Sequence, residues 1–415
     1  MMRQILTVMV LVVVLAAGVG IVSADKPITA AAGAQGPFAE VKLTAYDAAA
    51  DAQYGRSVAI DGDLVAVGAG GDGADGAVYV YKRQGMQYVP DAKLVAPDAV
   101  IEAEFGRCVV IKGSTLFIGA RFAQVGDYTK AGAVYVFRKY QGTWQFEQKI
   151  SSPMPEDEDN FGRAIAVSGN LMVVTARKNT AEEGAAYLYT YKGGSWAYTA
   201  TLTASDPVPG AYFGQSVALQ GGIMAIGARN ADPNAAGALY VFRQTGDGWE
   251  EIAKMTPDDG KNDDQFGFSV AMAGDTIAVG ARRADLPGAS NAGAASLYSV
   301  KGDTVTLIAK ITANDATKGD EFGQSLAFAG DVLAVGARRA DVDGNTDQGI
   351  IYFFRRAGNQ WEEIGTVSAS DGMAGDEFGY SLAAFGNRMV TGAHFADSLT
   401  GDNTAGAAYV LPVAA

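Results

Sequence analysis

Side chains that could ligate a hard cation are concentrated in one short segment, residues 341–347. The oxygen-bearing residues alternate with others along it: Asp341, Asp343, Asn345 and Asp347. Carboxylate and amide oxygens at alternate positions suit a calcium ion, although the glycine at the fourth position and the lack of a closing Glu depart from an EF-hand loop. The segment predicts either a calcium site or a solvated turn held by Asx hydrogen bonds.

Arginine recurs at one position, 16 residues after an aromatic residue that is followed by glycine. The five arginines are Arg121, Arg177, Arg229, Arg282 and Arg338, and His394 takes the equivalent place once more. A ring of guanidinium groups could bind an anion or a carboxylate-bearing ligand. The alternative is that each arginine pairs with an aspartate of a neighbouring loop.

Few residues are candidates for catalysis. Cys108 is the only cysteine and His394 the only histidine, which excludes a disulfide framework, a thiolate zinc site and a His-rich metal centre. Cys108 stands where five other copies of a repeat have Ser, which is typical of a small strand residue. We therefore predict no catalytic residues, no cofactor-binding residues and a protein that is not an enzyme.

The composition of the chain limits the classes of partner that it can bind. The chain has 415 residues, of which 53 are Gly and 48% are apolar, and its formal net charge is −14. It lacks a Lys/Arg cluster that could follow a phosphate backbone, so nucleic acid is excluded as a partner. The acidic balance favours cations and basic partners, or serves only to solvate the surface.

The elements that would position these residues come from one repeat. An aromatic-Gly pair occurs seven times at intervals of 51 to 56 residues: Tyr54-Gly55, Phe105-Gly106, Phe161-Gly162, Phe213-Gly214, Phe266-Gly267, Phe322-Gly323 and Phe378-Gly379. Length varies only in the stretch after the Gly-Ala-Arg-like triplet, as expected for a surface loop. The four tryptophans, all at one repeat position, predict packing anchors between repeats or platforms for sugars.

Each copy contains four short apolar runs, for example residues 322–330, 331–337, 349–356 and 361–369. Turns rich in Gly, Asp and Asn separate the runs, which therefore predict strands. Seven sets of four antiparallel strands predict an all-β, seven-bladed β-propeller. Residues 37–47 match a fourth strand, with Phe38 at the tryptophan position, so the N-terminal strand should complete the last blade.

Acidic residues should gather on one face of such a propeller, because the 2–3 and 4–1 loops of a four-stranded meander share a face. The 2–3 loops contain Asp285, Asp341, Asp343, Asp347, Asp397 and Asp402, and the 4–1 loops contain Asp258, Asp264, Asp315, Asp320, Asp371 and Asp376. An aspartate seven residues before the aromatic recurs six times and predicts turn architecture: Asp47, Asp98, Asp206, Asp259, Asp315 and Asp371.

The N-terminus has the pattern of an export signal. One Arg precedes an unbroken apolar run over residues 5–22, and Val22-Ser23-Ala24 offers small residues for cleavage. We expect a signal peptide over residues 1–24, or an uncleaved membrane anchor, then a linker over 25–36 and one propeller over 37–412. The expected location is extracellular or cell-surface, or periplasmic in a Gram-negative bacterium.

The alternation of Phe-Gly and Gly-Ala pairs over Pro37 to Pro412 resembles the FG-GAP repeat of integrin α-subunit N-terminal propellers and of many secreted microbial proteins. The resemblance implies an extracellular ligand-binding or adhesion propeller, often with calcium in its loops. In the integrin family the calcium loop joins the Phe-Gly strand to the Gly-Ala strand. Here that connection is always a tight turn, so those calcium sites do not carry over.

Two functions follow. The first is a secreted or cell-surface propeller that recognises an extracellular protein or glycan through its 2–3 and 4–1 loops, with calcium shaping those loops. The rival is an extracellular propeller enzyme, a polysaccharide hydrolase or lyase, since fold does not fix function. The residues after the aromatic-Gly pairs, expected on the central axis, include no carboxylate pair and no histidine: Arg56, Arg107, Arg163, Gln215, Phe268, Gln324 and Tyr380. Their absence favours binding over catalysis.

Overall fold

Seven antiparallel sheets of four strands each make up the fold. The computed structural model describes residues 40–47, 50–98, 102–178, 183–231, 234–358, 360–397 and 405–413. The expected signal peptide and linker, Phe38 and Asp402 lie outside these ranges. No helix in the described ranges is long and apolar enough to cross a membrane.

Six blades follow one another along the chain, each built from consecutive strands. Blade 1 is β2 (Tyr54–Asp61), β3 (Leu64–Ala69), β4 (Ala77–Gln84) and β5 (Gln87–Leu94). Blade 2 is β6 (Phe105–Lys112), β7 (Thr115–Ala120), β8 (Ala133–Tyr140) and β9 (Thr143–Ile150). Blade 3 is β10 (Phe161–Ser168), β11 (Leu171–Ala176), β12 (Ala185–Lys192) and β13 (Ser195–Leu202).

The remaining blades keep the same strand lengths almost throughout. Blade 4 is β14 (Phe213–Gln220), β15 (Ile223–Ala228), β16 (Ala238–Thr245) and β17 (Gly248–Met255). Blade 5 is β18 (Phe266–Ala273), β19 (Thr276–Ala281), β20 (Ala294–Lys301) and β21 (Thr304–Ile311). Blade 6 is β22 (Phe322–Ala329), β23 (Val332–Ala337), β24 (Ile350–Ala357) and β25 (Gln360–Val367). Blade 7 is β26 (Ser381–Phe385), β27 (Arg388–Ala393), β28 (Ala407–Pro412) and β1 (Val41–Leu43).

Blade 7 joins the two ends of the propeller. Strand β1 pairs antiparallel with β28, with Val41 opposite Val410 and Leu43 opposite Ala408. The N-terminal strand is thus the fourth strand of the last blade, which confirms the predicted closure. Ring closure leaves only short, protected sheet edges.

The aromatic-Gly pair forms a tight turn at the start of each first strand. In blade 2 the Arg107 N–H donates to the Glu104 carbonyl at 3.0 Å, and Gly106 between them has φ 93°. Such a four-residue turn with a positive φ at its third position is type II-like and favours glycine there. A Cβ at Gly106 would lie 2.5 Å from the Ala77 carbonyl oxygen. Both the turn and this close approach therefore require glycine.

Small residues at the strand ends join neighbouring blades. The Ser57 hydroxyl of blade 1 donates to the Gly106 carbonyl of blade 2 at 2.7 Å. Thr175 makes the equivalent bond to Gly214, and serines repeat it at Ser216–Gly267, Ser269–Gly323, Ser325–Gly379 and, across the ring closure, Ser381–Gly55. A Cβ at Gly68 would lie 2.0 Å from the same Gly106 oxygen. The recurring glycines and serines thus serve assembly of the ring.

Aromatic residues fill the spaces between blades. The Trp144 indole is buried, and its N–H donates to Asp91 of the previous blade at 2.7 Å. Trp196 of blade 3 packs edge-on against Phe117 of blade 2, with ring centroids 5.4 Å apart. These contacts confirm Trp144 and Trp196 as packing anchors between blades. Cys108 takes the serine position in blade 2, and burial raises the pKa of its thiol, which fits a packing residue and disfavours a nucleophilic thiolate.

Candidate functional site

Three rings of side chains surround the central axis at the start of the first strands. The turn that contains the aromatic-Gly pair places the preceding residue, always with φ between 53° and 60°, beside the residue that follows the pair. The preceding residues are Gln53, Glu104, Asn160, Tyr212, Gln265, Glu321 and Glu377. The other rings are the residue after the pair and the arginine ring predicted above. We call the three rings together the axial mouth.

The axial mouth opens on the same face as the 2–3 and 4–1 loops, because first strands begin where the 4–1 loops end. Contacts between the two loop types confirm that they share this face. The Lys261 ammonium of a 4–1 loop lies 3.6 Å from the Asp285 carboxylate of a 2–3 loop, and the Asn345 amide donates to the Gly372 carbonyl at 3.3 Å. The axis and the loops therefore belong to one surface, the loop face.

In blades 5 to 7 the arginines of the mouth are paired with carboxylates. Arg338 bridges Glu321 and Glu377, at 2.7 Å from each. Arg282 contacts Glu321 at 3.3 Å and the side-chain oxygen of Gln324 at 2.9 Å. We call Arg282, Glu321, Arg338, Glu377 and His394 the paired sector.

The expected pairing of these arginines with loop aspartates is wrong. Their partners are the glutamates that precede the aromatic residues, because the tight turn directs that side chain to the axis beside the end of the second strand. Sequence reasoning missed this ring, although its glutamates stand at a fixed place in the repeat and could have been found there. It also brings carboxylates to the axis, where none was expected.

His394 is buried and uncharged within the paired sector. Its ring lies 3.9 Å from the rings of both Tyr380 and Phe395, centroid to centroid, and its Nδ1 is 3.7 Å from Glu377. Burial, followed by the positive charges of Arg56, Arg338 and Arg107, lowers the pKa of His394 to about 2. The imidazole is therefore neutral at physiological pH.

Blades 1 to 4 carry an excess of positive charge at the mouth. We call its five guanidinium groups the arginine sector: Arg56, Arg107, Arg163, Arg177 and Arg229. Glu104 is the one carboxylate of the mouth in these blades, and Arg121 engages both of its oxygens, at 2.6 and 2.9 Å. Arg107 approaches the same carboxylate only to 3.5 Å. The other residues preceding the aromatics in these blades are neutral.

Mutual repulsion is evident in the arginine sector. Burial, then the charges of Arg107 and Arg177, holds the pKa of Arg163 well below its ordinary value. Burial, then the charges of Arg229 and Arg121, lowers the pKa of Arg177 to about 10. Burial alone would raise the pKa of Tyr380, but Arg107 and Arg56 outweigh that effect and lower it. A strong positive field thus spans the mouth.

The segment predicted to bind calcium forms a tight hairpin. Asp343 and Gly344, with φ of 51° and 90°, turn the chain between Val342 and Asn345, which exchange two backbone hydrogen bonds. The Asp341 carboxylate accepts the Asp347 N–H at 3.0 Å, and Asp285 makes the same bond to Asn291 in blade 5. Asp341 therefore stabilises the loop.

The carboxylates of Asp343 and Asp347 are exposed, whereas the Asn345 amide donates to Gln348 at 2.8 Å. Within the residues that the structure covers, no group of three or more His, Cys, Asp or Glu is placed to hold a metal ion. The segment as folded is a turn, and its three aspartates do not form such a group.

The recurring aspartates have an architectural role. Each of five accepts a hydrogen bond from a third-strand tyrosine of the next blade: Tyr79–Asp47, Tyr135–Asp98, Tyr240–Asp206, Tyr352–Asp315 and Tyr409–Asp371. Fourth-strand lysines bind four of these carboxylates and also Asp259: Lys93–Asp47, Lys149–Asp98, Lys254–Asp206, Lys42–Asp371 and Lys310–Asp259. These contacts fix the 4–1 loops, as the regular spacing predicted.

The predicted acidic face is only partly acidic at its surface. Asp264, Asp320 and Asp376 are buried, and each accepts a backbone N–H three residues earlier, at 2.6 to 2.9 Å. The other aspartates predicted for this face are exposed or half-buried, Asp402 excepted, which lies outside the described ranges.

An open depression of about 630 Å³ lies on the loop face between blades 6 and 7. Asn345 of the predicted calcium segment lines it, together with Asp376 and Asp397. Two apolar side chains complete its lining, Met373 at 48% exposure and Phe395 at 40%. Exposed apolar groups rimmed by polar ones are typical of interaction sites.

Comparison with known proteins identifies the repeat. The FG-GAP repeat family model matches seven times, over residues 38–81, 88–137, 144–189, 196–242, 249–298, 305–354 and 361–411. Among solved structures, the crystal structure of Saccharomyces cerevisiae Sqt1 is similar, with 11% identity, a TM-score of 0.49 and coverage of 85% of this chain and 81% of that chain. No curated protein matches the sequence significantly. With seven matched repeats, each running from the fourth strand of one blade into the third strand of the next, the chain belongs to the FG-GAP repeat family.

Proposed function

We propose that this FG-GAP propeller is a secreted or cell-surface binding protein that takes an extracellular protein or glycan on its loop face. The observation that carries the proposal is the depression between blades 6 and 7, where Phe395 and Met373 are exposed among acidic groups. An aromatic ring beside carboxylates can stack on a sugar or receive an apolar side chain of a basic peptide. An adhesion role follows if that partner belongs to another cell or matrix.

The opposite face offers less for recognition. Its 1–2 connections are two-residue turns in every blade, for example Gly62-Asp63 and Gly113-Ser114. The 2–3 connections on the loop face instead vary from blade to blade. Variable loops on a rigid scaffold commonly hold binding residues, which supports the loop face as the ligand surface.

Screening the purified chain on glycan and extracellular-protein arrays tests the proposal, with Phe395→Ala as the site variant. We expect this variant to lose at least about tenfold in affinity for the partner found, as truncation of a central aromatic contact does. Met86, at 76% exposure in a turn of the opposite face, provides the matched control Met86→Ser. Equal losses in both variants would refute the loop face as the binding surface.

Calcium at residues 341–347 is the second part of the proposal. The exposed Asp343 and Asp347 carboxylates and the loop carbonyls are oxygen ligands of the type that calcium prefers. If the ion binds the folded chain, the unfolding temperature rises saturably with calcium and falls in EDTA. Asp343→Ala should abolish the rise, whereas Asp247→Ala, in an exposed turn of the opposite face, should retain it. No rise at millimolar calcium would remove calcium from the proposal.

An extracellular hydrolase or lyase is the second candidate, favoured by one observation. Tyr380, whose pKa Arg107 and Arg56 lower, lies beside His394 at the axis and follows Glu377 by one turn. A tyrosine with a lowered pKa can act as a base or nucleophile. Turnover of an anionic polysaccharide that Tyr380→Phe abolishes would establish this candidate over the first.

A further inference from the structure

The arginine sector has a concentration of like charge that the protein itself does not neutralise. The three rings of the axial mouth contain eight arginines but only three glutamates. Two of those glutamates, Glu321 and Glu377, are taken by the paired sector, and the third is held by Arg121. The surplus therefore falls on blades 1 to 4, in a chain whose overall charge is −14.

Geometry brings these charges close together. Arg56, Arg107 and Arg163 follow the aromatic-Gly pairs of three consecutive blades, so they stand side by side around the axis. Arg177 and Arg229 flank them and both lie over the ring of Tyr212, at 4.7 and 4.9 Å from its centroid. Buried like charges cost free energy unless a counter-charge is present.

The same guanidinium groups have donors that find no acceptor. The Nε atoms of all five arginines of the sector are buried without a hydrogen-bond partner in the structure. Arg107 is an example: only 10% of its side chain is exposed, and its Nε lies 3.5 Å from the Glu104 carboxylate without a hydrogen bond to it. Buried polar groups are normally satisfied, so five such donors around one axial mouth indicate a missing acceptor.

We propose that the arginine sector is a binding site for a tetrahedral dianion, a sulfate or phosphate group, seated on the axis between Arg56, Arg107 and Arg163. Guanidinium groups donate pairs of parallel N–H bonds to such oxyanions. Two negative charges compensate more of the surplus of positive charge than the single charge of a carboxylate would. The group is either a free ion or the terminal ester of a larger ligand, and both present the same oxygens.

This site is separate from the depression at Phe395 and does not depend on the proposed function. Its ligand could enter alone from the loop face, on which the axial mouth opens. If ligand binding at the depression fails, anion binding at the arginine sector is unaffected, because the Phe395→Ala variant keeps every arginine of the sector.

Titration calorimetry of the purified chain with inorganic phosphate and with sulfate, at constant ionic strength, tests the proposal. We expect saturable binding of one ion per chain, weakened at least about tenfold in Arg163→Gln and in Arg107→Gln. Arg83→Gln, a charge-matched change at the far end of β4, and Phe395→Ala should bind as the unchanged chain does. A sulfated monosaccharide in a parallel titration separates the sources, since an ester-binding site favours it over free sulfate.

Stability in the absence of added anion distinguishes binding from a structural role. If the arginines exist to receive an anion, Arg163→Gln unfolds at the same or a higher temperature than the unchanged chain while losing the phosphate response. Undetectable phosphate and sulfate binding, equal binding by Arg163→Gln, or acetate binding as tight as phosphate would each overturn the proposal.

Discussion

Blades 5 to 7 and blades 1 to 4 have the same backbone at the axial mouth, but the charges of the first group are balanced and those of the second are not. In the paired sector Arg338 lies between two buried glutamates, each 2.7 Å away. In the arginine sector the equivalent Arg177 has Asn160 and Tyr212 at the corresponding positions, and it stacks on the Tyr212 ring. The comparison teaches that the residue before each aromatic decides whether its neighbouring arginine is neutralised or left to face the axis.

Removing the central cation of the paired sector should have the largest effect. In Arg338→Met, Glu321 and Glu377 are left buried, at 5% and 6% side-chain exposure, without their shared partner. Loss of one member of a buried ion pair destabilises by about 3 kcal/mol or more. Urea denaturation at pH 7 measures the change, with Arg83→Met as the control for loss of one surface charge.

If Arg338→Met is as stable as the unchanged chain, the salt bridges of the paired sector do not matter to folding. The distinction between the two sectors would then lose its energetic meaning.

The pH dependence of stability shows how far the positive field reaches. The pKa of His394 is about 2 in the folded chain, below its ordinary value of 6.5, so the unfolded chain binds the extra proton. The folded chain therefore loses stability as the pH falls below 6.5, the ordinary pKa of histidine. For one such group we expect a loss of about 2 kcal/mol between pH 7.5 and 5, which His394→Gln should remove.

The chain has no other histidine, so no second imidazole contributes to the difference between the two proteins. Denaturation curves across that pH range provide the measurement. Parallel stability profiles for the two proteins would mean that His394 becomes protonated in the folded chain, and that the arginines do not control it.

Converting the arginine sector into a paired one should have a smaller, stabilising effect. Asn160→Glu supplies a carboxylate where blades 2, 6 and 7 carry Glu, in a backbone conformation that Glu104 already adopts. The new carboxylate would lie next to Arg177. The substitution removes the hydrogen bond from the Asn160 amide to the Glu158 carbonyl, and we expect a net gain in stability of about 1 kcal/mol. The same substitution should weaken phosphate binding at the axis.

Asn160→Gln, which adds length without charge, is the matched control for this substitution. If Asn160→Glu destabilises the fold, crowding at the mouth outweighs charge compensation, and the two sectors differ by more than their carboxylates.

The smallest expected effect is that of Arg163→Met. Burial and the nearby Arg107 and Arg177 disfavour the charged form of Arg163, so an apolar side chain of similar length should be neutral or stabilising by up to about 1 kcal/mol. Its sign is opposite to that expected for Arg338→Met. A clear loss of stability would show that Arg163 has a structural partner of its own.

Much of the fold could be predicted from repeat spacing. A fixed register of aromatic-Gly pairs indicated blades, and the echo of a fourth strand before Tyr54 predicted the pairing of β1 with β28. The regular aspartates were correctly assigned to loop architecture. Their tyrosine and lysine partners lie 32 to 51 residues away along the chain, and Lys42 lies 329 residues from Asp371, so these contacts could not be read locally.

The candidate site could be predicted only in part. The recurring arginines indicated a ring, but their partners were expected among loop aspartates and proved to be Glu104, Glu321 and Glu377. The calcium segment was recognised from its alternating oxygens, yet the sequence could not tell whether those oxygens converge. Backbone turns, which set the direction of each side chain, decide such questions.

The sequence by itself determined the seven blades, because a strand period and a constant spacing are local properties that each repeat carries in full. Only the tertiary structure decided which charges meet. Residues from different blades share the axis because ring closure places their turns together, and the pairs Arg282–Glu321 and Arg338–Glu377 are each 39 positions apart in the chain. Burial there makes the balance of arginines and glutamates matter, and that balance depends on all seven blades at once.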